Sequence, residues 1–228
     1  MIEFLFLDLD DTILDFHKAE HNALRNTLQH FAVAPTEEHI ALYLQINREH
    51  WQRFEKGEIN RKQVNEGRFL QLFARLNQPV DGSACAAYYL SQLALTHDFL
   101  PGVQEAVQRL HQKYRLFIAS NGNGAVQGPR MTASGLYPYF EKVFVSEELG
   151  KNKPSKAFFD LCFAQIPGFN PSKAMMVGDS LTSDIQGGIH AGIRTCWVNP
   201  SRKPNTTAIC PDYEIASITE LEALLETL

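Results

Sequence analysis

A chain of 228 residues, 44% hydrophobic and 21% charged, can bury one large core or two small ones and has an ordinary globular composition. Its 21 basic and 26 acidic side chains give a formal charge of −5, so nothing in the balance attracts nucleic acid or an anionic membrane. Cys85, Cys162, Cys196 and Cys210 form no CxxC pair or metal-ligand spacing, and no apolar run approaches a membrane span; the expected setting is the cytoplasm, with reduced thiols.

In chain order, Glu3-Phe4-Leu5-Phe6-Leu7 is a short apolar run that stops abruptly at Asp8-Leu9-Asp10-Asp11-Thr12. A continuous apolar run predicts a strand buried on both faces, with Asp8 at its carboxyl end. Apolar residues then recur near a 3.6-residue period, predicting helices from His17 to Phe31, from Thr36 to Gly57, from about Arg61 to Leu76 and from Ser83 to about His97. At Leu100-Pro101-Gly102 the texture changes. A helix from Val103 to Lys113 leads into a strand over Leu116 to Ala119, which ends in Ser120-Asn121-Gly122.

The next helical segment ends near Gly135 and contains Gly128-Pro129. An interior proline costs on the order of 3 kcal/mol, so a kink or a late helix start is expected there. A strand at Val143 to Val145 follows, then Gly150-Lys151-Asn152-Lys153-Pro154 and a helix through Ala157, Phe158, Leu161 and Cys162. The strand Met175 to Val177 runs into Gly178-Asp179-Ser180 and Asp184, and a helix from about Asp184 ends at Gly192. Strands at Thr195 to Val198 and Tyr213 to Ile215 precede a terminal helix near Thr219.

Strands alternating with helices from residue 98 onward predict right-handed crossovers and a parallel sheet, to which the first strand must also belong. The expected fold is α/β: a Rossmann-like parallel-sheet core of residues 1–14 and 98–228, interrupted after its first strand by a helical bundle over 15–97.

Parallel strands carry their carboxyl ends on one edge, where ligands bind in open α/β sheets. Asp8/Asp10, Ser120/Asn121, Lys153 and Asp179/Asp184 therefore converge. Singly each has a bland reading: a helix N-cap at Asp10-Asp11-Thr12, a turn at Ser120-Asn121-Gly122, a cap at Gly178-Asp179. Together they supply acids, small donors and one fixed cation. Crowded carboxylates repel unless a cation offsets them. A hard divalent ion with oxygen ligands is the simplest answer, and Mg2+ suits a site that also holds phosphate.

In order along the chain, Asp8-Leu9-Asp10-Asp11-Thr12, Ser120-Asn121-Gly122, Lys153-Pro154 and Gly178-Asp179-Ser180…Asp184 resemble the motifs of the haloacid dehalogenase-like (HAD) phosphatases. The helical insertion falls where that family has its cap. The finer resemblance is to bacterial pyrimidine 5′-nucleotidases. It rests on Asp11 where most relatives have Gly, on Trp51…Gly57-Glu58-Ile59…Gly67-Arg68-Phe69, and on Gly188-Ile189-His190-Ala191-Gly192…Thr195-Cys196-Trp197-Val198-Asn199.

The resemblance implies a Mg2+-dependent phosphomonoesterase with Asp8 as nucleophile and Asp10 as general acid and base. Mg2+ would sit on the Asp8 carboxylate, the Asp10 backbone carbonyl and Asp179, with Asp184 a further ligand or the acid behind it. Ser120 and the Asn121 amide would hold phosphoryl oxygens, Lys153 would bind phosphate and neutralise its charge, and Thr12 would brace the loop. Asp11 is tolerable in a left-handed conformation, which Asp visits more readily than most residues. In the cap, Trp51, Phe54 and Phe69 would stack a base and Arg68 or Asn47 would read its edge; for each, the alternative is core packing.

The expected partner is a small phosphate monoester, a nucleotide first, with neither nucleic acid nor membrane. Competing readings are a sugar-phosphate or phosphoglycolate phosphatase, a phosphomutase and a non-catalytic phospho-ligand-binding protein. Asp10 argues against dehalogenation, and Lys18, the nearest match to a phosphonatase cap lysine, reads as a surface residue.

Overall fold

Four consecutive apolar side chains can all be buried only at the centre of a sheet covered on both faces. β1 (Phe4–Leu7) has that position, with none of its side chains exposed. In this computed structural model, which describes residues 1–228, β1 lies between β2 (Arg115–Ser120) and β4 (Ala174–Gly178). With β3 (Lys142–Val145), β5 (Arg194–Val198) and β6 (Tyr213–Ile215), the sheet runs β3-β2-β1-β4-β5-β6, every pair parallel.

Alternation along each strand divides the core in two. Leu5, Leu7, Ile118 and Val177 pack on one side with Val107 and Leu110 of the helix Val103–His111. Phe4, Phe6, Phe117 and Phe144 pack on the other with Phe158, Phe159 and Cys162 of a later helix.

The chain divides into two compact units, Met1–Phe16 with His97–Leu228, and His17–Thr96. The smaller holds most of α1 (Phe16–His30) with α2 (Glu37–Glu55), α3 (Arg61–Arg75) and α4 (Gly82–Leu93). Each of the last three begins at a side-chain cap on its first turn: Thr36, Asn60 in a reciprocal capping box with Gln63, and Asp81. The last helix stops at Leu93, short of the expected His97, because Leu95 is 70% exposed and Thr96 turns its hydroxyl onto the Leu93 carbonyl.

The sheet unit adds α5 (Val103–His111), α6 (Gly124–Ala133), α7 (Ser146–Leu149), α8 (Lys156–Phe163), α9 (Gln186–Ala191) and α10 (Leu221–Leu225). The late start expected of α6 does not occur. Asn123 caps it, its side chain accepting from the Ala125 N–H, and Glu147 holds both Asn123 Nδ2 and the Gly124 N–H, so the helix begins at Gly124 with Pro129 inside it. The helix expected from Asp184 is in two pieces: a wide π-type turn over Leu181–Ile185, then α9.

Candidate active site

Strand register builds the site. Leu7 pairs with Ile118 on one side and Val177 on the other. Asp8, Ala119 and Gly178 are therefore level where the sheet ends, with Asp10, Ser120 and Asp179 just beyond. The Asp8 N–H continues the ladder to the Val177 carbonyl at 2.9 Å, which fixes the backbone of the first acid.

Lys153 reaches this edge from the loop after α7. Its ammonium donates to Asp8 Oδ1 (2.8 Å), Asp184 Oδ1 (2.5 Å) and the Ala119 carbonyl (2.5 Å), at 1% exposure. An ammonium has three hydrogens, and all are engaged here; a contact with a phosphoryl oxygen requires it to exchange one. Burial disfavours its charge, but Asp184 and Asp8 outweigh burial and hold its pKa above the ordinary lysine value.

Asn121 brackets the same residue. Its Oδ1 accepts from the Lys153 N–H at 2.8 Å, while its Nδ2 donates to the Lys153 carbonyl and to Ser183 Oγ. The Asn121 side chain thus positions the lysine, and any phosphate contact at Asn121 would go through its backbone amide.

Asp8, Asp179 and Asp184 place carboxylate oxygens within 4.8 Å of one another. Gly178 makes room for this, since a Cβ there would collide with the Asp184 carboxylate. The wide turn at Leu181–Ile185 returns Asp184 towards its own start, where Asp184 Oδ2 accepts from the Ser180 N–H at 3.1 Å. The Trp197 indole fixes the Asp179 carbonyl at 2.8 Å.

Burial, offset by Lys153 and reinforced by Asp184 and Asp10, pushes the Asp8 carboxyl up to about 7. Burial with Asp184, Asp8 and Asp11 raises Asp179 well above the carboxylate range. Fully ionised, three acids facing one ammonium would leave an excess of two negative charges, and the donors are all oxygen. That set fits a hard divalent cation.

Asp10 is not in the acid cluster. Arg130 Nη1 donates to its Oδ1 (2.5 Å) and Gln127 Nε2 to its Oδ2 (2.7 Å). Both partners lie on α6, are 1% exposed, and were missed by reading the motifs alone. Their i, i+3 spacing puts them on one helix face, a signal that was present. Thr12 is fully buried and its hydroxyl has no hydrogen-bond partner, so any bracing it provides is by packing. Asp11 has φ +54°, the left-handed conformation expected there, and its Oδ1 accepts from the Phe16 N–H at the start of α1.

Within the helical unit, Phe69 has no exposed surface and packs among Tyr43, Phe73 and Tyr89. Arg68 is 2% exposed, donates to Asn47 Oδ1 at 2.8 Å and lies 4.7 Å from the Tyr89 ring centre. Asn47 in turn donates to Glu20 at 2.7 Å. Trp51 and Phe54 meet edge to face at 5.6 Å, with the Arg61 guanidinium 4.9 Å from the Phe54 ring. The structure thus brings Arg68, Asn47 and Phe69 into one buried cluster and Trp51 and Phe54 into another.

The sheet edge and its acids define a class, and the chain belongs to it: residues 2–192 match the haloacid dehalogenase-like hydrolase family, so the protein is a hydrolase of that family. It is 40% identical over 220 residues to the pyrimidine 5′-nucleotidase PynA of Streptococcus pneumoniae, covering 96% of this chain and 93% of the relative. To the pyrimidine 5′-nucleotidase YjjG of Escherichia coli it is 32% identical, covering 98% and 97%. The crystal structure of the HAD-hydrolase YfnB of Bacillus subtilis bound to magnesium superposes with a TM-score of 0.94 at 38% identity, covering 99% of both chains. No helix is long and apolar enough to cross a membrane.

Proposed function

We propose that this hydrolase is a Mg2+-dependent phosphomonoesterase that works through an aspartyl-phosphate on Asp8 and takes nucleoside 5′-monophosphates, pyrimidine ones by preference. The observation that carries the reading is a carboxylate at the end of the central strand with one oxygen held by a buried lysine, facing two further acids. Two relatives similar over nearly the whole chain and named pyrimidine 5′-nucleotidases support the substrate class. On the same reading the sheet unit is the catalytic core and the helical unit is the cap.

Lys153 fixes Asp8 through Oδ1, and Asp8 Oδ2 attacks phosphorus. Asp10 gives its proton to the departing ribose oxygen, then takes one from the water that hydrolyses the acyl phosphate. The Ser120 hydroxyl and the Asn121 backbone amide bind phosphoryl oxygens, and Lys153 holds negative charge as it develops. Asp8, the Asp10 carbonyl and Asp179, with Asp184 as a further ligand or the acid behind them, are the residues that would hold Mg2+. That ion would polarise the phosphoryl group and neutralise its charge.

The test is a panel of phosphate monoesters assayed with Mg2+. UMP and dTMP should be turned over with higher kcat/KM than purine nucleotides, hexose phosphates or phosphoglycolate. Sugar phosphates hydrolysed as well as UMP would defeat the nucleotidase assignment, and no turnover of any monoester would defeat the phosphatase.

A further inference from the structure

We infer that Gln127 and Arg130 are positioning residues that hold the acid–base carboxylate and set the direction of the phosphate-binding hydroxyl; this rests on the reading of Asp10 and Ser120 given above. Arginine carries only donors, so the Gln127 atom facing Arg130 Nη1 at 2.8 Å must be Oε1. That fixes the amide. Gln127 Nε2 then has two hydrogens, one on Asp10 Oδ2 at 2.7 Å and the other on Ser120 Oγ at 3.1 Å.

Ser120 Oγ also accepts from the Gly122 N–H at 3.0 Å. A hydroxyl has two lone pairs and one hydrogen. With both lone pairs engaged, the Ser120 hydroxyl is left to act only as a donor, the role an anionic phosphoryl oxygen requires. One amide thus links the group that moves the proton to a group that binds the phosphate.

Glycine at 122 follows from the same arrangement. A Cβ there would run into the Gln127 side chain, and the residue is not at positive φ, so close approach is what the position demands. Arg130 completes the clamp by holding the other Asp10 oxygen at 2.5 Å, with Phe16 5.8 Å from its guanidinium. Asp10 is thereby held by both oxygens in one rotamer, on a carboxylate 24% exposed beside residues that are not.

The readout is dependence on the leaving group. A nucleoside 5′-alkoxide needs a proton from Asp10, whereas p-nitrophenolate departs without one. Arg130 touches Asp10 and not Ser120, so Arg130→Met should lower the ratio of kcat/KM for UMP to that for p-nitrophenyl phosphate by about 10²-fold, the lower end of what general acid catalysis contributes. Asp10→Asn should show the same selectivity. Gln127→Met should lower the ratio and also raise KM for both esters, because it removes the constraint on Ser120 as well.

Should Arg130→Met not fold, Arg130→Lys and Gln127→Met report the same ratio. A ratio within about twofold of wild type in folded variants whose activity is reduced on both esters would make these residues merely structural and overturn the inference, while leaving the phosphatase intact, since general acid chemistry contributes about 10²-fold at the least. A wild-type enzyme inactive on both esters would remove the underlying reading and the inference with it.

Discussion

Two of the places where the molecule buries charge are built differently. At the sheet edge, Asp8, Asp179 and Asp184 face one ammonium, an excess of acid with every hydrogen of Lys153 engaged. Inside the helical unit, Arg68 and Glu20 are joined through Asn47 and the guanidinium is covered by the Tyr43, Phe69 and Tyr89 rings, one cation for one acid. The helical set is matched in charge, though Arg68 Nε is left without a hydrogen-bond partner. An unmatched set is unfavourable by itself, and on the proposed function a cation and a phosphoryl group would complete it.

The contrast predicts opposite consequences of mutation. Asp8→Asn removes the proposed nucleophile and should lower turnover by roughly 10⁴-fold or more, as removing a member of a catalytic unit does. It also takes away one of the mutually repelling acids, so thermal unfolding of the metal-free variant should not fall below wild type. Arg68→Met should do the reverse: it removes the buried hydrogen bond to Asn47 and the guanidinium's contact with the Tyr89 ring, leaves Asn47 Oδ1 without that donor, and should cost about 1–3 kcal/mol, read as a lower urea midpoint at constant m. If Arg68→Met were as stable as wild type but had lost nucleotide selectivity, the helical cluster would be a recognition site and the comparison would fail.

The edge cluster was legible in the sequence because each of its residues lies within a few positions of a strand end, and parallel topology does the rest. Asp8, Ser120 and Asp179 needed only the strands to be recognised. The partners on α6 were less visible. Gln127 and Arg130 flank Gly128-Pro129, which draws the eye as a helix problem, and their apolar neighbours Val126 and Met131 mark a buried face without naming what these two polar side chains meet there. What binds them to the site is a carboxylate 117 and 120 residues away in sequence. The break at Leu181–Ile185 was hidden for a related reason: the turn widens around the Ser180 and Asp184 hydrogen bonds, which are set by tertiary position and not by helix propensity. Phe69 reads equally as a stacking ring or as core from its sequence alone, and only its enclosure by Tyr43, Phe73 and Tyr89 shows which surface it has.

Excess acid also sets how the two places respond to pH and metal. Burial, chiefly, raises Asp8 to about 7 and Asp179 well above the carboxylate range, so the metal-free folded chain binds more protons than the unfolded one. Stability from these groups is complete below the unfolded carboxylate pKa and is lost as pH rises through the folded value. On the proposed function Mg2+ would compete with those protons. Its stabilisation should therefore be larger at pH 8 than at pH 5, about 2.7 kcal/mol at a hundredfold excess over its dissociation constant. Equal shifts in thermal midpoint at both pH values would place the ion elsewhere, and in Arg68→Met the Mg2+ increment should be the same as in wild type.

The smallest expected effect is at Asp11, where the sheet edge tolerates local strain. Its φ of +54° is uncommon for a side-chain-bearing residue, and its carboxylate caps the Phe16 N–H. Asp11→Gly removes the steric penalty but loses the cap, and these oppose one another at about 1 kcal/mol each, so the net change should be small. Asp11→Ala loses the cap and places a Cβ that cannot hydrogen-bond locally in the same conformation, so it should cost about 1–2 kcal/mol by urea unfolding. Asp11→Asn keeps the acceptor and the tolerance of positive φ while removing one negative charge that raises Asp179, and should fall between neutral and slightly stabilising without metal. An Asn variant as unstable as the Ala variant would mean that the charge and not the turn holds Asp11 there, and the excess of acid at this edge would then extend one residue further than the cluster of three.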